Sequence, residues 1–262
     1  MSGHNRWTKI KRQKEAMGAS KGKLFTKLIK EITVAARLGG GDPAGNARLR
    51  AAILAAREAN MPGDNITRAV KKGTGELEGV HYEEVTYEGY APGGVAVLVE
   101  CLTDNRHRTA GDVRATFSKG GGNLAAEGSV AWNFQRRGSI QLKPGPTEDR
   151  VMDAALEAGA DDVVPQGTDG FEVRTDPAAL HHVAGALERA GLPVGEQRWI
   201  YVPQNTVKVE GDGAKRVVKL LELLEDNDDV QNVWANADIS DRDLEALAEI
   251  CGATTGATRR HR

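Results

Sequence analysis

Over residues 95–102 the chain reads Val-Ala-Val-Leu-Val-Glu-Cys-Leu, apolar at all but one position. A valine-rich apolar run of strand length predicts a strand buried on both faces. Pro92, Gly93 and Gly94 predict the turn into it, and Thr103-Asp104-Asn105 its end. From Thr109 to Lys119 the spacing changes, and Ala110, Val113 and Phe117 share a helical face. Gly120, Gly121 and Gly122 stop that helix. Val130, Trp132 and Phe134 then alternate, which predicts a strand over 129–134. With a strand at 83–90, the order is strand, strand, helix, strand.

Upstream the helical period dominates. Leu24, Leu28, Ile32 and Ala35 predict a helix over 23–38, closed by Gly39, Gly40 and Gly41. Leu49, Ile53 and Ala56 place a second over 43–59, and Ile66, Ala69 and Val70 a third starting near Pro62. The three make a small bundle. Downstream, the pattern restarts at Ser139. A strand at 140–142, a helix at 148–158, a hairpin of 162–165 with 170–174, a helix at 177–190 and a strand at 197–202 give β-α-β-β-α-β, the split ferredoxin-like order. A strand at 206–209, a helix at 214–224 and a strand at 230–235 are left over. They are expected to complete the sheet begun at Tyr82, with the strand near Val207 in the same sheet as 95–102. The expected fold class is therefore α+β: an N-terminal three-helix domain followed by two ferredoxin-like α/β domains, the third inserted in the second. The expected boundaries are a basic arm at 1–22, a helical domain at 23–79, a discontinuous second domain at 80–135 plus 204–238, the inserted domain at 136–203, and a partly disordered extension at 239–262. Ser240 with Asp243 predicts a capping box opening a short helix there.

Charge changes this picture. The net charge of −2 conceals an asymmetry: residues 1–80 hold 16 Lys and Arg against 7 Asp and Glu, and the rest 19 against 30. Nine of the cations lie in the first thirty residues, beside one acid, Glu15. Arg6, Lys9, Lys11, Arg12 and Lys14 crowd around Trp7, and Lys21, Lys23, Lys27 and Lys30 continue the series. Cations engage phosphates, and a tryptophan can stack on an exposed base. The plainer alternative is a solvated basic tail. Arg68, Lys71 and Lys72 on the third helix, and Arg106 and Arg108 at the turn into the helix of 109–119, extend the candidate nucleic-acid-binding set. The two arginines are expected to contact phosphate and not to hold the fold. Asp226, Asp228 and Asp229 lack the spacing of a calcium hand and read as a solvated helix end.

Other chemistry is missing from the sequence. No zinc spacing, Walker loop, Rossmann fingerprint or G-x-S-x-G occurs, so no metal, cofactor or small-molecule substrate is expected. Asp104, His107 and Thr109 supply acid, base and nucleophile side chains but no activating spacing, so no catalytic residues are assigned. Two cysteines and the absence of an apolar signal core or long apolar run lead us to expect a reducing, cytoplasmic setting without membrane contact.

Three long stretches carry a resemblance: MSGHNRWTKIKRQK at the start, GKLFTKLIKEITVAARLGGGDPAGNARLRAAILAAREANMP, and YEGYAPGGVAVLVECLTDNRHRT. They resemble the YebC/PmpR family over residues 1–238. The family often has serine and lysine where this chain has Asn5 and Arg6, so the charge is kept. The resemblance implies an N-terminal helical domain and two α/β domains. It also implies a regulator of gene expression, acting either on promoter DNA as a transcriptional regulatory protein or on ribosomal RNA, like the mitochondrial translational activator of cytochrome c oxidase. The expected partner is thus nucleic acid, DNA or ribosomal RNA, with the ribosome itself as a partner under the second reading. A protein–protein adaptor role for the acidic α/β region is the third.

Overall fold

The valine run forms the strand the pattern demands. In the computed structural model, which describes residues 21–240 with Arg242 and Asp243, β2 (Val95–Thr103) is buried at every position but Glu100. It pairs antiparallel with β1 (Glu83–Ala91) through the Pro92–Gly94 turn. Three helices precede this hairpin in the chain: α1 (Lys21–Gly39), α2 (Ala47–Glu58) and α3 (Gly63–Thr74). The helix that follows it is α4 (Arg106–Lys119), with Thr109, Val113 and Phe117 buried.

The chain divides into two units. Of the described residues, the first takes in 21–30, 80–133 and those from 203 onward. Its main sheet has the order β3-β1-β2-β9, where β3 is Asn123–Leu124 and β9 is Val230–Ala235. Helices α4 and α7 (Gly211–Glu225) share one core with it. Val95, Val97 and Val99 of β2 meet Val113 and Phe117 of α4 and Val217, Leu220, Leu221 and Leu224 of α7 there. Each such side chain, taken fully out of water, contributes about 1.5–3 kcal/mol. Gly89 in β1 has no room for a side chain, since an added Cβ would lie 2.7 Å from the Phe117 ring.

Two expectations fail in this unit. The strand near Val207, β8 (Val207–Val209), does not join the sheet of β2. It pairs in parallel with β10 (Ala237–Ile239), a strand the pattern did not reveal. Asn236 sets this up: its Oδ1 accepts from Ala96 N (2.8 Å), its Nδ2 donates to Asn205 O (2.9 Å), and its carbonyl accepts from Val207 N (2.8 Å). The chain therefore leaves β9 beside β2 and enters β10 beside β8. The second failure is the strand expected over 129–134. Ala131–Asn133 is a turn of 3₁₀ helix, and β3 takes the third place in the sheet.

The second unit comprises Glu31–Gly79 and Phe134–Val202. Here α1 from Glu31 onward, α2 and α3 pack closely. Gly73 of α3 is required by that approach, because a Cβ there would lie 2.4 Å from the Thr33 carbonyl oxygen of α1. Asn46 caps α2 through its Oδ1, which accepts from Leu49 N, and its Nδ2 donates to Ala35 O (2.7 Å) and Gly40 O (2.8 Å) at the end of α1. The sheet of this unit has the order β5-β6-β4-β7, with β4 at Phe134–Leu142, β5 at Asp162–Pro165, β6 at Phe171–Thr175 and β7 at Val194–Pro203. That is the ferredoxin-like order. Helices α5 (Glu148–Ala158) and α6 (Leu180–Arg189) bury Val151, Ala155, Val183 and Leu187 against Ile140, Leu142 and Val173. The architecture is mixed α+β, with an N-terminal helical region followed by α/β regions.

Candidate nucleic-acid interface

The first unit gathers several of the candidate cations around one corner, where α7 ends and β9 begins. Lys23, Lys27 and Lys30 stand four and three residues apart, so they share a face of α1. Lys23 Nζ donates to Asp226 O (3.1 Å), Lys27 Nζ to Glu225 O (2.7 Å) and Lys30 Nζ to Asp228 O (2.9 Å). The last turn of α7 contains no basic residue of its own. Lys23 and Lys27 supply that charge from α1, satisfying carbonyls at the negative end of the helix dipole, and Lys30 bonds the turn that follows it. Leu24, expected on the apolar face, is 39% exposed.

Asp229 is the centre of the corner, and it corrects the reading of a solvated acidic end. Its side chain is only 8% exposed, and its Oδ1 lies 2.6 Å from Lys30 Nζ. Oδ2 accepts from Arg108 Nη2 (2.7 Å) and Thr109 Oγ1 (2.7 Å). Thr103 Oγ1 is 2.7 Å from Thr109 Oγ1 and accepts from Asn105 N, which ties the start of α4 to the same group. Burial alone would raise the Asp229 pKa. The hydrogen bonds from Arg108, Lys30 and Thr109 outweigh it and hold the carboxyl at about 2. The bond to Asp229, then that to Asp104, push the Arg108 pKa upward in turn. Lys30 also lies 5.5 Å from the centre of the Tyr82 ring.

The candidate residues thus separate. Arg108 holds the fold through Asp104 (2.8 Å) and Asp229, against the expectation that both arginines leave it untouched. Arg106 is exposed and only 3.9 Å from Glu83 at closest. Lys21 is exposed at the start of α1. In the second unit, Arg68 and Lys71 are exposed on α3, with Lys72 half-buried beside them. Arg6, Trp7, Lys9, Lys11, Arg12 and Lys14 lie outside the described residues, as does most of the helix expected after Ser240. The capping contact itself is present, with Asp243 N donating to Ser240 Oγ (3.2 Å). Sequence reasoning missed Asp229, Thr103, Thr109 and Lys30 as one cluster. Thr109 is fully buried, with its hydroxyl committed to Asp229, so it is not placed to attack a substrate. Among the described residues, no cluster of three His, Cys, Asp or Glu side chains is arranged to hold a metal ion, and no helix is long and apolar enough to cross a membrane.

Residues 82–237 match the family model described as the TACO1/YebC second and third domain, and residues 5–76 match the TACO1/YebC protein N-terminal domain. The chain belongs to the YebC family. Relatives align along almost their whole length. A "Probable transcriptional regulatory protein" of Myxococcus xanthus is 65% identical over 249 residues, 95% of this chain and all of that one. A protein of Geobacter sulfurreducens with the same description is 57% identical over 247 residues, 94% of this chain and all of its own. Among solved structures, a conserved hypothetical protein from Aquifex aeolicus is 49% identical, with a TM-score of 0.79 over 85% of this YebC-family chain and 92% of that one.

Proposed function

We propose that this YebC-family protein is a nucleic-acid-binding regulator of gene expression that carries out no catalysis, and that its target is DNA. The observation that carries the proposal is the full-length 65% identity to a protein described as a probable transcriptional regulatory protein. The charge map supports it, since the 16 cations of residues 1–80 outnumber acids by nine. The contacts proposed are the arm residues Arg6 to Lys14, then Lys21, Arg68, Lys71, Lys72 and Arg106; of the described ones, Lys72 is half-buried and the others are exposed. Lys23, Lys27 and Arg108 contribute field and shape, because their hydrogen bonds are spent on the corner at Asp229. The proposed division is a basic arm at 1–22 that carries most of these cations, then three domains: a helical one at 23–79 and two α/β ones, that of 136–203 being inserted in that of 80–135 plus 204–238.

One observation favours the second reading, a ribosome-associated factor on RNA. The exposed face of α3 offers Thr67 and Arg68, with Asn65 half-buried, as side chains that can read base edges. So thin a set suits recognition by phosphate and shape, the mode that RNA helices require. Crosslinking in cells, with sequencing of both recovered DNA and RNA, decides between them. Discrete promoter peaks are the expected result. Enrichment of ribosomal RNA without promoter peaks would replace the DNA target by the ribosome, and recovery of neither would remove the proposal.

A further inference from the structure

Trp132 is 66% exposed, although its neighbours in the chain, Val130 and Asn133, are almost wholly buried. Its position is held by an unusual number of bonds, all within the first unit. The Glu88 carboxylate, itself only 5% exposed, accepts from the amides of Gly128 (2.7 Å), Val130 (2.6 Å) and Ala131 (2.8 Å). Tyr90 Oη and Trp132 Nε1 both donate to Ser129 O, at 3.1 and 3.0 Å. On the other side Asn133 Oδ1 accepts from Asn205 N (2.9 Å), Asn133 Nδ2 donates to Asn205 O (3.0 Å), and Gln204 N donates to Asn133 O (2.8 Å). A buried carboxylate and a buried amide therefore fix the backbone on both sides of one solvent-facing indole. Such fixing is what a presented contact needs, since little ordering remains to be done on binding.

Two features say what the ring meets. Its only polar atom is satisfied within the turn, so it offers a flat π face and no unpaired donor. The exposed residues beside it in the chain, Ala126, Glu127, Gly128 and Ala131, are small or charged. An aromatic hot spot for a protein partner needs surrounding contacts that exclude water, and this turn does not supply an apolar rim. A base stacks on a single face without one. We infer that Trp132 is a stacking platform for an unpaired base of a single-stranded or looped nucleic acid. The inference rests on the proposed function, and extends it to a site in the first α/β unit, remote in sequence from the basic arm.

The test uses the full chain with a labelled single-stranded dodecathymidine and a 12-base-pair duplex. Trp132→Ala is expected to weaken single-strand binding roughly 5- to 150-fold, the range for loss of one stacked base, and to leave duplex binding within about twofold. Trp132→Phe keeps a ring and retains most of the affinity. In a Trp7→Phe background, the single strand quenches indole emission, and the further change Trp132→Phe abolishes that quenching. This readout does not depend on the alanine variant folding well. Unchanged single-strand affinity in Trp132→Ala, equal losses on both oligomers, or quenching that survives Trp132→Phe overturns the inference and leaves the ring to a protein partner. A wild-type chain that binds neither oligomer overturns the proposed function, and this site with it.

Discussion

Asp229→Asn removes one charge and little volume, and should destabilise the protein by about 3–5 kcal/mol, the cost of breaking a buried ion pair from one side. The cost comes from the burial of the pair. Lys30 and Asp229 are each 8% exposed and 2.6 Å apart, so Lys30 is left charged where water hardly reaches. The asparagine amide also brings donors toward Arg108 and Thr109, which are donors to the present carboxylate. The pH dependence gives a second magnitude. A carboxyl held at about 2 against an ordinary 3.8 stabilises the folded state by roughly 2–3 kcal/mol at neutral pH. The folded pKa is the lower one, so the unfolded chain takes up the proton first as pH falls. The contribution is complete above pH ~5 and disappears as pH drops through 4 toward 2. Urea unfolding, followed by circular dichroism at pH 7, 5, 4, 3 and 2, measures both. The gap between wild type and Asp229→Asn should be several kcal/mol at pH 7 and shrink steadily below pH 4. Adding Lys30→Met should recover some of the loss. A variant within ~0.5 kcal/mol of wild type at pH 7, or a gap that stays constant down to pH 2, would refute the account of this corner.

Three further outcomes follow from the packing. Lys27→Met should cost about 1–2 kcal/mol, through loss of a charged donor at the end of α7, whereas Lys23→Met, whose pair with Asp226 is solvent-exposed, should cost less than ~0.5 kcal/mol in the same urea titration. Gly73→Ala should destabilise by about 1–3 kcal/mol by forcing α3 away from the Thr33 carbonyl, read as a lower melting temperature without loss of helical signal at 20 °C. Burial pushes the Cys101 thiol pKa up to about 12, so in a Cys251→Ser background it should resist a disulfide exchange reagent at pH 8 in the native state and react once urea unfolds the chain; fast native reaction of that variant would contradict the placement of β2.

Local pattern carried much of the fold. The apolar run of β2 and the helical periods of α5 to α7 survive in the structure with boundaries shifted by a few residues, because each element buries its own apolar face. Long-range polar bonds were illegible. Val130, Trp132 and Phe134 alternate like a strand, yet Glu88, about forty residues away, draws the amides of Gly128, Val130 and Ala131 into a turn. Asp229 looked like one of several solvated acids, because the partners that bury it stand 199, 121 and 120 positions off in sequence. The same distance hid the role of Lys23, Lys27 and Lys30. Their spacing was visible in the sequence, but the helix end and the turn they bond were not. Basic charge in a sequence counts phosphate contacts only after such internal partners are subtracted.

The proposed function can be tested by the salt dependence of binding. If about six of the cations in residues 1–30 neutralise phosphates, log affinity for duplex DNA should fall with log salt at a slope near −5. Removal of residues 1–20 leaves α1 and the Asp229 corner intact, so it should flatten that slope by several units while the melting temperature stays nearly unchanged. An affinity and slope that survive the removal would mean that the arm is a solvated tail, and would contradict the claim that this segment brings the protein to nucleic acid.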